Sequence, residues 1–388
     1  MFWGDLVAAD PCIQPLGRVR AAVSKGEMSR LSFKKALRLG TRTIQSSWYW
    51  LALLVALILI LLRATCAICA EKGSLAAIAL PGGKAGIGFD DLGFSESLHK
   101  VLVPAGRTGR LDLIDPATRQ VSSIGGFAAH ATFSGGHGEG ITSVDQGRGL
   151  LFVTDRTARI LDVVDPNTPS IIASTRLASG PDYVRFVSET NEVWVTQPVA
   201  QRIEVLNFPT GGTPNPVHRR FIDVPGGPES LVIDHSHGRA YTNLWRGVTV
   251  AIQLKDDSIV ARWPNGCEGS RGIALDAKRG FLFAGCNEGR LSVLDSNTGR
   301  ILGKAFSGDG VDIIAYNPKL RHAYMPGGGS ATLAIIGIST GGTATILRTV
   351  PTVTGAHCTT ADDCNHVYVC DPSRGRLLVF QDSSSAAP

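Results

Sequence analysis

From Leu75 onward the chain repeats itself about every 44 residues, and that period constrains the fold more than any other feature. Each copy is a short apolar strand, a polar turn, a β-rich strand, a Gly/Asn/Arg loop, then a third strand often ending in Asp. Clear copies run from Gly140 to Asp165 and from Arg271 to Asp295. With the turn after the first strand as ruler, the equivalent positions are Ser95, Asp145, Ser188, Asp234, Asp276, Asn317 and Asp362, at intervals of 50, 43, 46, 42, 41 and 45 residues. Third strands are expected at 110–114, 159–164, 202–206, 248–252, 290–294, 332–336 and 376–380. Seven copies, each with room for four short strands, predict an all-β, seven-bladed β-propeller of four-stranded blades over residues 72–382.

A ring must close. After its third strand, blade seven retains only eight residues, rich in Ser, Ala and Pro, which read as a disordered tail over 383–388. Before blade one lies an orphan apolar segment, Leu75 to Leu80, ended by Pro81-Gly82-Gly83. It is predicted to supply the outer strand of blade seven, covering an open sheet edge.

Residues 1–70 differ from the rest in charge: nine Lys/Arg stand against Asp5, Asp10 and Glu27. Taking these from totals of 38 and 33 leaves 29 bases against 30 acids, so the remainder carries no bulk positive charge and nucleic acid is disfavoured as a partner. Trp48–Leu62 is an uninterrupted apolar run. Residues 48–70 read as one hydrophobic helix, a cleaved signal or a transmembrane anchor. The basic flank over 1–47 should stay cytoplasmic and the propeller be exported, to a periplasmic or extracellular location. Met28 is an alternative start.

Counting back five residues from each ruler position gives Asp90, Gly140, Tyr183, Glu229, Arg271, Asp312 and His357, with Glu139 and Asp182 adjacent and His137 two residues earlier. In a propeller this station opens onto one mouth of the central channel. Five carboxylates around a funnel repel one another unless a cation or protons neutralise them. Glu139, Asp182, Glu229 and Asp312 therefore read as a set for a divalent ion such as Ca, Mg, Mn or Fe. Asp90, Glu229 and Arg271 read as ligand-binding groups, Arg271 for a carboxylate or phosphate. His137 and His357 are candidate general bases. The bland alternative is that these residues only interlock neighbouring blades. Asp145, Asp234, Asp276 and Asp362 are expected in tight turns, with Asp115, Asp165 and Asp295 doing the same after third strands. His235 and His237 read as solvated turn residues.

Cys267 and Cys286 should emerge on the same face of blade five, and a disulfide between them suits an exported domain. Cys358 and Cys370 could face each other across the first hairpin of blade seven, with Cys364 in the opposite turn. Zinc-type Cys-x-x-Cys spacing, phosphate loops and Gly-x-Ser-x-Gly elbows do not occur within residues 72–382.

Gly136-His137-Gly138-Glu139-Gly140, Gly180-Pro181-Asp182, Gly227-Pro228-Glu229, Cys267 to Gly272, Leu294 to Gly299, Gly308 to Asp312 and Gly355-Ala356-His357 resemble the exported YVTN/YncE-like propellers of the quinoprotein amine dehydrogenase β-like superfamily. Phe152-Val153-Thr154-Asp155 comes nearest to that family's tetrapeptide. The resemblance implies the propeller fold, and its members include binding proteins, lactonases, lyases and non-catalytic subunits. The expected function is therefore an exported or tethered propeller binding a small ligand, metal ion or protein partner at its top face. The alternatives are a metal-dependent, lactonase-like hydrolase or lyase and a scaffold subunit of a periplasmic redox complex. Fold alone does not choose among them.

Overall fold

A computed structural model describes residues 75–386, apart from Thr213. The expected leader, the apolar segment over 48–70 and the last two residues of the tail lie outside the described residues. Within the described residues, no helix is long and apolar enough to cross a membrane.

Among the described residues, twenty-eight strands form seven four-stranded antiparallel sheets. The seven first strands are Gly93–Ser95, Ile141–Gly147, Val184–Val187, Val232–Asp234, Ser270–Asp276, Ala315–Asn317 and Thr359–Ala361. Each touches the next around the series, and the seventh touches the first, so the sheets stand as blades around one axis. Third strands fall where the period places them, for example Arg202–Asn207 and Arg290–Asp295.

Burial explains the strand patterns. Second strands such as Phe281–Cys286 are buried at every position, since both faces pack on neighbouring blades. Outer strands such as Ile259–Pro264 alternate, one face packed and the other wet. Between blades two and three the rings of Phe152 and Phe186 stack at 5.4 Å, and Phe208 meets Phe152 edge-on at 5.0 Å. Gly147 makes room for this cluster, because a Cβ there would stand 2.3 Å from the Phe186 ring.

The ring closes as expected. Ala76–Ala79 pairs antiparallel with Arg376–Gln381, in register Ala76↔Val379 to Ala79↔Arg376, and completes the sheet of blade seven. Ile78 and Leu80 are buried there, and the Ile87 N–H donates to the Pro372 carbonyl at 2.9 Å.

Two local expectations give way. Asp145 does not sit in a turn: it lies inside Ile141–Gly147 and accepts the Phe186 N–H at 2.6 Å, clamping blade three to blade two. The chain after residue 382 is not loose throughout. Asp382 is buried, 2.7 Å from His322 Nδ1 and 2.9 Å from the Tyr324 hydroxyl, and the Ser385 carbonyl lies 3.2 Å from His322 Nε2. Asp234, Asp276 and Asp362 do accept N–H groups of their own turns, as do Asp115, Asp165 and Asp295. His237 bonds Asp234 within that turn, and half-exposed His235 pairs with Glu189 at 3.0 Å.

Candidate functional site at the channel mouth

The approach to each first strand lies at one end of the channel. Two glycines bring the blade-two approach into place. A Cβ on Gly88 would stand 2.2 Å from the Gly136 carbonyl, and one on Gly140, whose φ is +71°, 2.1 Å from the Gly106 carbonyl. Only glycine at these positions lets the Gly136–Gly140 loop lie against blade one and turn His137 inward.

There Asp90, His137 and Asp312 converge, their ligating atoms within 4.8 Å of one another. His137 Nδ1 is 2.9 Å from Asp90 and Nε2 is 3.6 Å from Asp312. With a carboxylate at each nitrogen the imidazole holds both protons. Asp90 is the main cause of its rise to about 9. Burial pushes the Asp90 carboxyl up, but His137 and Arg156 outweigh it and hold the group ionised below its usual range.

Arg156 escaped the sequence reading and organises the site. Its Nη2 is 3.0 Å from Asp90 and also contacts Asp182. Its Nη1 donates to the His137 carbonyl at 2.9 Å, and its Nε to the Pro181 carbonyl at 3.0 Å. It follows the second strand of blade two, Leu150–Asp155, which runs antiparallel to the first and so delivers its end to the same mouth. Trp245 occupies the corresponding place in blade four, and its indole N–H donates to Glu229. The antiparallel logic that paired Cys267 with Cys286 would have found both.

Glu229 lies 3.9 Å from Arg271 Nε. Burial, with Asp312 adding repulsion, pushes its carboxyl up to about 7. His357 donates from Nδ1 to the Gly355 carbonyl at 2.7 Å and from Nε2 to the Phe89 carbonyl at 3.0 Å. Carbonyl oxygens only accept, so this imidazole too carries both protons. A general-base role for His137 or His357 would require either to give up a proton its neighbours hold in place. Tyr183 is buried in the apolar floor beneath, with Phe89, Leu231 and Ile313.

The four carboxylates read as a metal set do not converge. Glu139 turns outward to the Ser134 hydroxyl at 3.0 Å, Asp182 is held by Arg156, and Glu229 is held by Trp245 and Arg271. Charge is relieved instead from within: Arg156, Arg271 and the two imidazolium groups face these acids, and burial pushes the Asp182 and Glu229 carboxyls upward, toward their neutral forms. Around them lies a two-lobed cavity sharing His137, Arg271 and Asp312. One lobe, about 380 Å³, adds Arg156, Asp182, Val199, Glu229 and Trp245. The other, about 500 Å³, adds Phe133, Asn287, Thr354, His357 and Ser373. The Cys267–Cys286 disulfide is present nearby, with a Cα–Cα separation of 5.2 Å.

Neither the protein-family models nor the curated proteins match this sequence. Solved structures do. A chain of the Mitotic Checkpoint Complex is similar at 12% identity with a TM-score of 0.65, over 80% of this chain and 94% of that one. A chain of Kuenenia stuttgartiensis Hydrazine Synthase is similar at 12% identity, TM-score 0.62, over 77% and 96%. U3-55K is similar at 10% identity, TM-score 0.64, over 79% and 98%. These likenesses establish the seven-bladed propeller fold, a scaffold commonly used for binding.

Proposed function

We propose that the propeller is a binding module whose mouth takes a small zwitterion. A carboxylate or phosphate of the ligand would sit at Arg271 and its ammonium group at Asp312 and Glu229, with apolar atoms against Trp245 and Val199. The observation that carries this is Arg271, partly exposed, 3.9 Å from Glu229 and lining both lobes together with Asp312. Fixed charges of opposite sign across a partly dry cavity favour a ligand that carries both. No divalent ion is required, because Arg156 already supplies the charge a metal would bring to Asp90 and Asp182. The disulfide in blade five supports an oxidising compartment, hence export, as for the YncE-like propellers that the mouth motifs resemble. Exposed Val199 and Trp245 at the rim would also suit a protein partner that presents such a group.

Calorimetric titration with a panel of α-amino acids, simple amines and simple carboxylates tests the reading. Zwitterions should bind more tightly than either half alone, and Arg271→Ala should weaken them by about tenfold or more. Equal binding of amines and zwitterions, or binding untouched by Arg271→Ala, would refute it.

A further inference from the structure

Blade seven places a second kind of chemistry in the wall of the same cavity, beyond what ligand binding uses. Cys358 and Cys370 are the free thiols among the described residues, and both are buried. Thr359 pairs with Val369, so the antiparallel register sets Cys358 opposite Cys370, and the Cys370 N–H donates to the Cys358 carbonyl at 3.1 Å. Cα atoms of directly opposed residues lie about 4.5–5.5 Å apart, a span a disulfide can bridge.

The two sulfurs are not equivalent. Cys370 Sγ accepts the backbone N–H of Cys358 at 3.1 Å and lies 3.9 Å from Nδ1 of His357, the imidazolium fixed by its two carbonyl acceptors. The sulfurs and that ring fall within 4.8 Å of one another. Asp312 and Asp90 are the other charged groups facing the cluster. Burial opposes ionisation of Cys370, yet the Cys358 hydrogen bonds and the His357 charge win and bring it down to about 5, while burial pushes Cys358 up.

We propose that Cys370 is a reactive thiolate that hydrogen peroxide oxidises, with Cys358 as the resolving thiol that closes a reversible disulfide. The Cys370 sulfur attacks one peroxide oxygen and the O–O bond breaks. The sulfur becomes a sulfenic acid and the released hydroxide takes a proton from solvent. The Cys358 sulfur then attacks the sulfenic sulfur, the S–O bond breaks, and the oxygen leaves as water with the Cys358 proton. One peroxide is reduced to water as two thiols become one disulfide. Burial selects the oxidant. Gly355, His357, Pro372 and Ser373, flanking both cysteines, line the 500 Å³ lobe, and the two sulfurs lie fully buried behind them, so the oxidant proposed is one near the size of water rather than a bulky disulfide.

The test is stoichiometric peroxide on the native protein, followed by intact mass and by peptide mapping after cleavage at aspartates, which separates the two cysteines. The expected result is a loss of two hydrogens and a Cys358–Cys370 cross-link, reversed by dithiothreitol. Cys358→Ser should instead leave Cys370 one oxygen heavier in the intact mass, a sulfenic acid that dimedone traps once the oxidised protein is unfolded, and His357→Gln, with its melt checked, should slow that oxidation at least tenfold. The proposal is overturned if Cys358 oxidises as fast in Cys370→Ser as in the parent, or if the thiols react only after unfolding. It is equally overturned if the purified protein carries a stoichiometric soft metal that blocks both thiols.

Discussion

Arg156 Nη2 stands 3.0 Å from Asp90 Oδ2 across 66 residues of sequence, tying the end of a second strand in blade two to the approach of blade one. The same guanidinium also contacts Asp182, whose carboxyl burial still pushes well above its usual range, so removing Arg156 strands the buried Asp90 carboxylate and leaves Asp182 without its partner. Arg156→Met should cost about 3 kcal/mol, near the lower end for a broken buried pair because the Arg156 side chain is 21% exposed. Urea denaturation at pH 7 measures it. The Asp90 contribution is present above the ordinary Asp range and fades as pH falls through its lowered value, so the deficit should shrink in acid.

Trp245 reports on Glu229 directly. Its indole N–H bonds the carboxylate, so its fluorescence should titrate with a midpoint near 7, and Glu229→Gln should abolish that step. A step that persists in Glu229→Gln would assign the titration elsewhere.

Thermal stability should decline from pH 6 to pH 9. The raised Glu229 pKa means that folding disfavours its ionised form, so stability falls as pH climbs from the unfolded value of 4.5 through about 7. The raised His137 pKa means that its contribution is complete below 6.5 and lost as pH rises through about 9. Melting curves across this range check the sum, and Glu229→Gln should flatten its lower half.

Disrupting the closing strand should weaken every blade. Ile78→Asp removes a buried aliphatic group and puts a carboxylate between blade seven and its neighbour. Hydrogen exchange should then quicken in blade four as well as in blades one and seven. Faster exchange confined to blade seven would show that closure is only a local repair.

Replacing both Cys267 and Cys286 by Ser should cost about 3 kcal/mol, the loop-closure value for a ring of this size. Calorimetry of the parent and the double variant reads the loss directly.

The fold was legible because burial on both faces forces a strand signature that recurs with each blade. The mouth was legible in part. The ruler found Asp90, Glu229, Arg271, Asp312 and His357 because first strands begin at a common height. It missed Arg156 and Trp245, which follow second strands and carry no periodic mark. Glu139 turns to Ser134 rather than to the other carboxylates because the left-handed Gly136 and Gly140 fix the loop direction, and composition does not reveal where such a loop turns a side chain. Asp145 was misjudged because blade two continues its first strand to Gly147, two residues past the ruler position.

The pairing of Ala76 with Val379 also dictates when this molecule can become whole. On a ribosome, six sheets can assemble as they emerge, but the seventh stays two ribbons short of complete until Arg376–Gln381 leaves the tunnel and meets a segment made some 300 residues earlier. Until then the nascent chain presents raw sheet margins at both ends of an unfinished arc, the state in which it is most exposed to pairing with the wrong neighbour.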